Sequence, residues 1–171
     1  MKSLISAFLL LALVSAYAQE NVVAPTSGFT VKGFVKNELT LKISDLEQYK
    51  QEELHDVLIR NQKGEQKRIA KGVKGILLKT VLEKADIHAE KPKEYSEIYI
   101  VLTASDGYKN VYSWNELFRT DIGDHIYIVM AEDGKTMDQL PDRIQVMSLG
   151  EYHSGNRNLR GLTKIEVRKI E

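Results

Sequence analysis

Residues 98–112, IYIVLTASDGYKNVY, contain the pattern that decides the fold of this chain. Ile98, Ile100 and Leu102 occupy alternate positions, which is typical of a strand with one face buried. Asp106-Gly107 follows, and Asp-Gly is a strong signal for a tight turn between antiparallel strands. The residues after the turn return to strand patterning. The stretch therefore predicts a central strand, a turn and a second strand.

Strand patterning recurs on both sides of this unit. On the N-terminal side, residues 61–65 contain the Asn and Gly that suit a loop joining two antiparallel strands. On the C-terminal side, an apolar strand leads into a turn at 132–135. The remaining predicted strands are 29–35, 39–43, 54–60, 66–71, 126–131, 143–148 and 162–170.

Three helices are predicted between the strands. Ser44 is expected to cap a short helix, because its hydroxyl can accept from a free amide of the first turn. Residues 76–85 have apolar side chains at helical spacing and form the strongest predicted helix. Ser113 and Glu116 have the spacing of a capping box for a helical turn. The predicted fold class is α+β, with mostly short antiparallel or mixed strands and a few short helices.

The N-terminal residues have the pattern of an export signal. Lys2 is followed by an apolar run over 4–14, and Ala16-Tyr17-Ala18 offers a small-x-small cleavage site. We expect a signal peptide over 1–18, a flexible lead over 19–28 and a single domain over 29–171. The protein would then be exported, to a periplasm or outside the cell, without integral membrane association. A retained N-terminal anchor is the alternative, although a membrane helix needs about 20 apolar residues.

Composition excludes several classes of function. The chain has 24 basic and 24 acidic residues, so it lacks the basic excess typical of nucleic-acid binders, and no nucleic-acid partner is expected. It contains no cysteine, which excludes disulfides, thiolate-held iron–sulfur clusters and a thiol nucleophile. Its four histidines show no spacing that would place two of them on one metal, so no metal site is predicted.

Several weak motifs occur in a characteristic order along the chain. Gly72-Val73 precedes Leu77-Leu78, with Lys74-Gly75 between them, and Asp106-Gly107-Tyr108 forms a turn. In this order the motifs resemble the molybdopterin-binding domain of sulfite-oxidase-type oxidoreductases, in its small stand-alone form. Gly72-Val73 resembles the start of the family's Gly-Val-Pro-Leu helix, and this chain has Lys74-Gly75 in place of the Pro-Leu. The other similar segments are 31–35, 39–46, 131–135, 143–146, 158–162 and 165–167.

The resemblance implies a molybdenum ion held by a pterin dithiolene and by one protein cysteine. In the family that cysteine precedes the Gly-Val segment, a region that here is the predicted hairpin. The hairpin offers Asn61, Lys63 and Arg68 but no sulfur, and hard oxygen or ammonium groups do not replace a soft thiolate. The residues themselves therefore indicate no cofactor, and molybdopterin is the one that the resemblance implies.

The resemblance also implies a site for an anion. Arg143 and Arg160 match family positions beside the anionic tail of the pterin, and His153, Asn156 and Arg157 belong to the same Gly-containing loop. Arginine suits this task because its planar fork binds two phosphate or carboxylate oxygens together. Alternatively, Arg143 and Arg160 pair with carboxylates such as Asp142 or Glu166 on a solvated surface.

Three functions remain open from the sequence. The leading hypothesis is an exported, non-catalytic domain that binds an anionic small molecule or a protein partner in the former cofactor cleft. The second is a molybdopterin-dependent oxidoreductase whose metal has no cysteine ligand. The third is a structural or interaction protein in which the cleft is filled.

Overall fold

The computed structural model describes residues 22–61, 63–149, 151 and 154–170, which form two β-sheets with short helices. The predicted signal peptide and His153 lie outside the described residues. The first sheet has the strand order β2-β1-β11-β5-β6 and is mixed, since β1 and β11 are parallel and the other pairs antiparallel. Its strands are β1 (Gly28–Gly33), β2 (Leu39–Lys42), β5 (Ile98–Ala104), β6 (Lys109–Ser113) and β11 (Leu162–Lys169).

The second sheet has the order β10-β9-β7-β4-β3, and β8 pairs with β7. Its strands are β3 (Glu52–Arg60), β4 (Gln66–Leu77), β7 (Ile126–Glu132), β8 (Lys135–Thr136), β9 (Gln145–Ser148) and β10 (Leu159–Arg160). The α-helices are α1 (Ile43–Leu46), α2 (Leu78–Ala85) and α3 (Trp114–Arg119). Short 3₁₀ turns lie at Pro92–Glu97, Gly123–His125, Met137–Gln139 and Ser154–Asn156. The α+β class is confirmed.

Residues 98–112 form the predicted pair of strands, β5 and β6. β5 is hydrogen-bonded to β11 on one side and to β6 on the other, so it is an interior strand. Ile100 and Leu102 are fully buried, and Gly107 donates its backbone N–H to Ala104 in the turn. Alternation along this strand thus places its apolar residues on the side that faces the core.

Two apolar clusters lie on opposite sides of the second sheet. The larger cluster contains side chains of the first sheet and of α2, together with residues of the second sheet such as Ile128 and Val146. The neighbouring residues Val129 and Met147 belong to the smaller cluster. Because successive strand residues point to opposite faces, the second sheet is apolar on both sides. The β3–β4 hairpin, which forms one edge of this sheet, contributes Ile59 to the smaller cluster.

The structure corrects some predicted boundaries. Helix α2 begins at Leu78 rather than at 76, because Ile76 and Leu77 still pair with β7. The Gly72-Val73 motif accordingly lies in β4 and not at a helix start. Ser44 lies inside α1; the carboxylate of Asp45 accepts the backbone N–H of Lys42 instead, at 2.8 Å.

The strand predicted over 143–148 begins at Gln145. Arg143 has a φ of +56°, which belongs to the left-handed region and interrupts a strand. Its backbone N–H donates to Leu140 at 3.1 Å, so the chain turns just before β9. Within the part of the chain that the structure describes, no helix is long and apolar enough to cross a membrane.

Candidate functional site

A groove of about 570 Å³ opens where the tip of the β3–β4 hairpin meets the loop that precedes β10. The β5–β6 turn closes one side through Asp106 and Tyr108, and β9 contributes Gln145 and Met147. Val23, from the segment that precedes β1, also lines it. Five separated parts of the sequence therefore form one concave surface.

Basic side chains dominate this groove. Arg60, Lys67, Arg68 and Arg160 line it, whereas Asp106 is its one carboxylate among the described lining residues. The Asp106 carboxylate already accepts the backbone N–H of Tyr108 at 2.9 Å. The charge of the lining residues is therefore positive, although Arg68 and Arg160 also contact carboxylates outside the lining, Glu132 and Asp142.

The four basic groups differ in how far they are already paired. Arg68 is bonded to the buried carboxylate of Glu132. Arg160 lies 3.4 Å from Asp142, but its side chain is 60% exposed. Within the described chain, no carboxylate lies within 4 Å of Arg60 or Lys67. Arg60 and Lys67 thus carry charges that the described residues leave without an ion-pair partner.

Local hydrogen bonds fix the hairpin tip. The side-chain oxygen of Asn61 accepts the backbone N–H groups of Lys63 and Glu65 at 2.9 and 3.0 Å. Asn commonly folds tight turns in this way. Arg60 donates through Nη1 to the carbonyl of Gly64 at 2.9 Å. These bonds orient the Arg60 side chain across the turn and leave its other guanidinium nitrogens for the groove.

The loop before β10 packs directly against that hairpin. A Cβ atom at Gly155 would lie only 2.0 Å from the carbonyl oxygen of Arg60, so only glycine allows this approach. Tyr108 donates its hydroxyl to the carbonyl of Asn156 at 2.5 Å. Asn110 donates its side-chain amide to the carbonyl of Arg157 at 2.7 Å. The loop is held between the hairpin and β6.

Arg157 holds the same loop through its side chain. Its Nε donates to Glu151 at 3.0 Å and its Nη2 to Glu116 at 2.8 Å. Nη1 donates to the carbonyl of Val111 at 2.8 Å, and the guanidinium carbon lies 4.4 Å from the ring centroid of Tyr112. Burial raises the pKa of the Tyr112 hydroxyl, and the Arg157 charge partly offsets that rise. All three guanidinium nitrogens of Arg157 therefore have protein partners.

The structure brings together some of the site residues suggested by sequence. Arg160 and Asn156 line the groove, and Arg157 lies behind it with both neighbouring glutamates. Arg143 is half-buried in the turn before β9 and is not among the lining residues. His153 lies outside the described residues. The pairing of Arg160 with Asp142 matches the alternative of a surface ion pair.

Sequence reasoning missed Arg60 and Lys67. The available signal was the hairpin itself, because the family resemblance places the cofactor-binding cysteine in that region. Only Asn61, Lys63 and Arg68 were named there. Arg60 was missed because it stands at the end of a regular strand, and strand patterning alone does not reveal that the strand ends at a groove.

The segment preceding β1 is tied to the rim of the groove where the structure describes it. The backbone N–H of Ala24 donates to Ser105 Oγ at 2.9 Å, and Ser105 Oγ donates to the carbonyl of Ala24 at 2.8 Å. Thr26 forms an isolated parallel bridge with Arg143. These contacts place Val23 at the groove.

The donor groups in the groove are guanidinium, ammonium and amide groups. They suit anions and do not match the thiolate that a sulfite-oxidase-type molybdenum centre takes from its protein. Among the described residues, no group of three or more His, Cys, Asp or Glu is arranged to hold a metal ion. Fold and groove together define a two-sheet α+β domain with a basic cleft.

Comparison with known proteins bears on the fold. No family model and no curated protein matches the chain. Among solved structures, the chain is similar to the sulfane dehydrogenase SoxCD from Paracoccus pantotrophus, with a TM-score of 0.62 and 10% sequence identity. The match covers 82% of this chain and 37% of that chain, so this protein spans little more than a third of its neighbour. The likeness shows a shared fold and supports a distant molybdopterin-domain-like architecture.

Proposed function

We propose that this protein is an exported, non-catalytic domain that binds a small anionic molecule in the basic groove. The observation that carries the proposal is the placement of four basic side chains around one concave surface, where Asp106 is the one carboxylate among the described lining residues. Arg60 and Lys67 have no carboxylate within 4 Å in the described chain, so an incoming anion need not displace one there. Export and processing before Gln19 follow from the N-terminal pattern.

The arrangement of the groove favours a multiply charged ligand. Arginine at one wall and arginine or lysine at the other can contact separate oxygens of the same phosphate-like group. Ile59 and Met147 are buried beneath the rim and give the groove an apolar base. An apolar base lowers the local dielectric and so strengthens charge-assisted hydrogen bonds above it.

The chemistry of the site separates this proposal from an oxidoreductase. The shared fold with a sulfane dehydrogenase supports common ancestry, but the chain has no sulfur side chain other than its methionines. In the region where the family places its cysteine, this chain presents Arg60 and Asn61. We therefore assign the groove to binding and derive no redox step from it.

Inorganic pyrophosphate is a suitable probe of the groove. A ligand that binds only the folded state raises the free energy of unfolding, so pyrophosphate should raise the midpoint of thermal unfolding. Lys67→Glu and Arg160→Gln should each weaken the apparent affinity about tenfold, because each loses a charge-assisted contact. Lys135→Glu, at the exposed first residue of β8, is the matched control and should leave the affinity unchanged.

An absence of stabilisation by pyrophosphate, or an equal loss in Lys135→Glu, would contradict the proposal. The rival function has its own test, which is the metal and pterin content of protein purified from a host that makes molybdopterin. Stoichiometric molybdenum with the fluorescence of oxidised pterin would favour the oxidoreductase. N-terminal sequencing of the exported protein should begin at Gln19.

A further inference from the structure

A second basic surface lies on the outward side of the first sheet. The residues on this side alternate with core residues such as Val31, Ile100 and Ile165, which are fully buried. The outward residues are exposed or half-exposed, apart from Val101. We call this surface the basic face; its charged members are Lys32, Lys42, Lys109, Lys164, Glu166 and Arg168.

The strand register places these charges in rows across the sheet. Thr103 of β5 is paired with Lys164 of β11 on one side and with Lys109 of β6 on the other. Neighbouring strands are about 4.8 Å apart, so these two lysines are separated by roughly 10 Å. In the next row Lys32 is aligned with Glu166. The cations are therefore spread over the sheet and do not form a single cluster.

The charge of this face is strongly unbalanced. Five basic residues share it with one carboxylate, Glu166, which lies 2.8 Å from Lys164 and 3.2 Å from Arg168. The whole chain has equal numbers of basic and acidic residues. The positive charge on this face is therefore a local concentration, and it is set apart from the basic residues of the groove, which belong mainly to the second sheet.

Apolar side chains gather at one corner of the basic face. Phe34, Tyr99 and Ile170 line one shallow depression together with Arg168 and Lys169. Ile170 is 62% exposed and Phe34 36% exposed. Lys169 Nζ lies 5.7 Å from the centroid of the Phe34 ring and is paired with Glu94 at 3.2 Å and with Glu97 at 3.5 Å. Exposed aromatic and aliphatic groups beside cations are typical of protein surfaces that meet a lipid interface.

We propose that the basic face docks the protein on the surface of an anionic lipid bilayer. The charge is complementary, since each lysine or arginine near such a surface strengthens binding about fivefold. Its breadth suits a planar partner, and the corner at Phe34 and Ile170 can enter the headgroup region. A single-stranded nucleic acid would need exposed aromatic rings on which bases stack. Among the described residues, this face offers for that purpose only the half-exposed Tyr99 and, at its corner, Phe34.

Vesicle co-sedimentation tests this inference with the purified protein. The protein should bind vesicles of phosphatidylglycerol and phosphatidylcholine at low salt, should be released by salt, and should not bind phosphatidylcholine alone. The double variant Lys32→Glu/Lys109→Glu should bind at least roughly twentyfold more weakly. The matched control, Lys63→Glu/Lys135→Glu, makes the same charge change on the second sheet and should bind like the parent protein.

A separate variant tests the apolar corner. Phe34→Ser should weaken vesicle binding while leaving its dependence on salt unchanged, because the lost contact carries no charge. Urea unfolding of every variant checks that the fold is retained. Failure to bind anionic vesicles, equal binding to neutral ones, equal loss in the control, or tighter binding to double-stranded DNA at the same salt would each overturn the inference. None of these results depends on the ligand of the groove.

Discussion

Arg157 is the side chain on which the groove-lining loop most depends. It contacts Glu116 and Glu151, whose side chains are only 22% and 18% exposed, and it covers the ring of Tyr112. Removing the guanidinium would leave two half-buried carboxylates without their charged partner. Its role in this structure is to position Asn156 and its neighbours.

Arg157→Ala should lower the free energy of unfolding by about 2–4 kcal/mol, because half-buried carboxylates lose their charge partner. Urea denaturation measures the change. Arg119→Ala is the control; Arg119 lies 5.3 Å from the Trp114 ring on an exposed surface and should cost less than about 1 kcal/mol. Equal losses in the two variants would contradict a special role for Arg157.

Tyr127 makes the free energy of unfolding depend on pH in the alkaline range. Burial, together with the hydrogen bond to Glu52 at 3.1 Å, raises the pKa of Tyr127 to about 12. The folded state therefore keeps this proton to a higher pH than the unfolded chain. The free energy of unfolding should fall as pH rises from 10 toward 12. Urea titrations of Tyr127→Phe should show a smaller fall than the parent protein; an identical fall would contradict this assignment.

Individual site residues could be predicted only in part. Arg157 was interpreted as a ligand contact because it belongs to a Gly-containing loop with His153 and Asn156. Its partner Glu116 is 41 residues away in the sequence, so nothing local reveals that the guanidinium is already paired. Arg160 does line the groove, because its strand runs along the rim. Residue type suggested the chemistry, whereas tertiary contacts decide which arginine is available.

At the scale of elements, two serines were predicted as helix N-caps, and only one of them occupies that position. Ser113 accepts the backbone N–H of Glu116 at 3.0 Å, and Glu116 accepts that of Ser113 at 3.3 Å. This predicted capping box is confirmed. Ser44 was predicted as a cap as well, but it lies within α1, because β2 ends at Lys42 and the helix begins at once.

Ser113→Ala should lower the free energy of unfolding by about 1 kcal/mol, because α3 loses its cap. Ser44→Ala should be neutral or slightly stabilising, since alanine is the better helix former at an exposed interior position. Thermal or urea unfolding of both variants makes the comparison. A larger loss in Ser44→Ala than in Ser113→Ala would show that the helix start is wrongly placed.

The contact between two elements at Gly155 controls the shape of the groove. Gly155→Ala should displace the loop from Arg60 and lower the free energy of unfolding by about 1–3 kcal/mol. It should also weaken the stabilisation by pyrophosphate. Gly134→Ala is the control, because a Cβ there meets open space and only the positive φ of 75° is strained. That variant should lose about 1 kcal/mol and keep its affinity for pyrophosphate.

The helix predicted over 76–85 begins two residues later, because β4 continues to Leu77. Apolar residues at 76, 77, 81, 82 and 85 fit a helix, and a short apolar pair fits a buried strand equally well. Ile76 and Leu77 pair with Ile128 and Tyr127, so the second sheet extends the strand. Helix propensity and apolar spacing do not reveal that strand pairing competes with the helix at these two residues, because the paired strand β7 lies about 50 residues later in the chain.

At the scale of the whole molecule, alternation predicted most strands and the α+β class. It did not predict that β1 and β11 lie side by side in parallel, which joins the two ends of the described chain in one sheet. The two paired strands are far apart in the sequence, and the local pattern of apolar residues does not indicate which distant strand lies beside β1. The order of motifs did anticipate the architecture that the comparison with a sulfane dehydrogenase supports.

The groove and the basic face both carry positive charge, so the location of anion binding is the central issue. A titration of the ¹⁵N-labelled protein with inorganic pyrophosphate, followed by amide chemical shifts, tests it most directly. We predict saturable shifts at Arg60, Lys67, Asn156 and Arg160, and their loss in Lys67→Glu. Shifts confined to the outward residues of the first sheet, or no saturable shifts at all, would contradict an anion-binding groove.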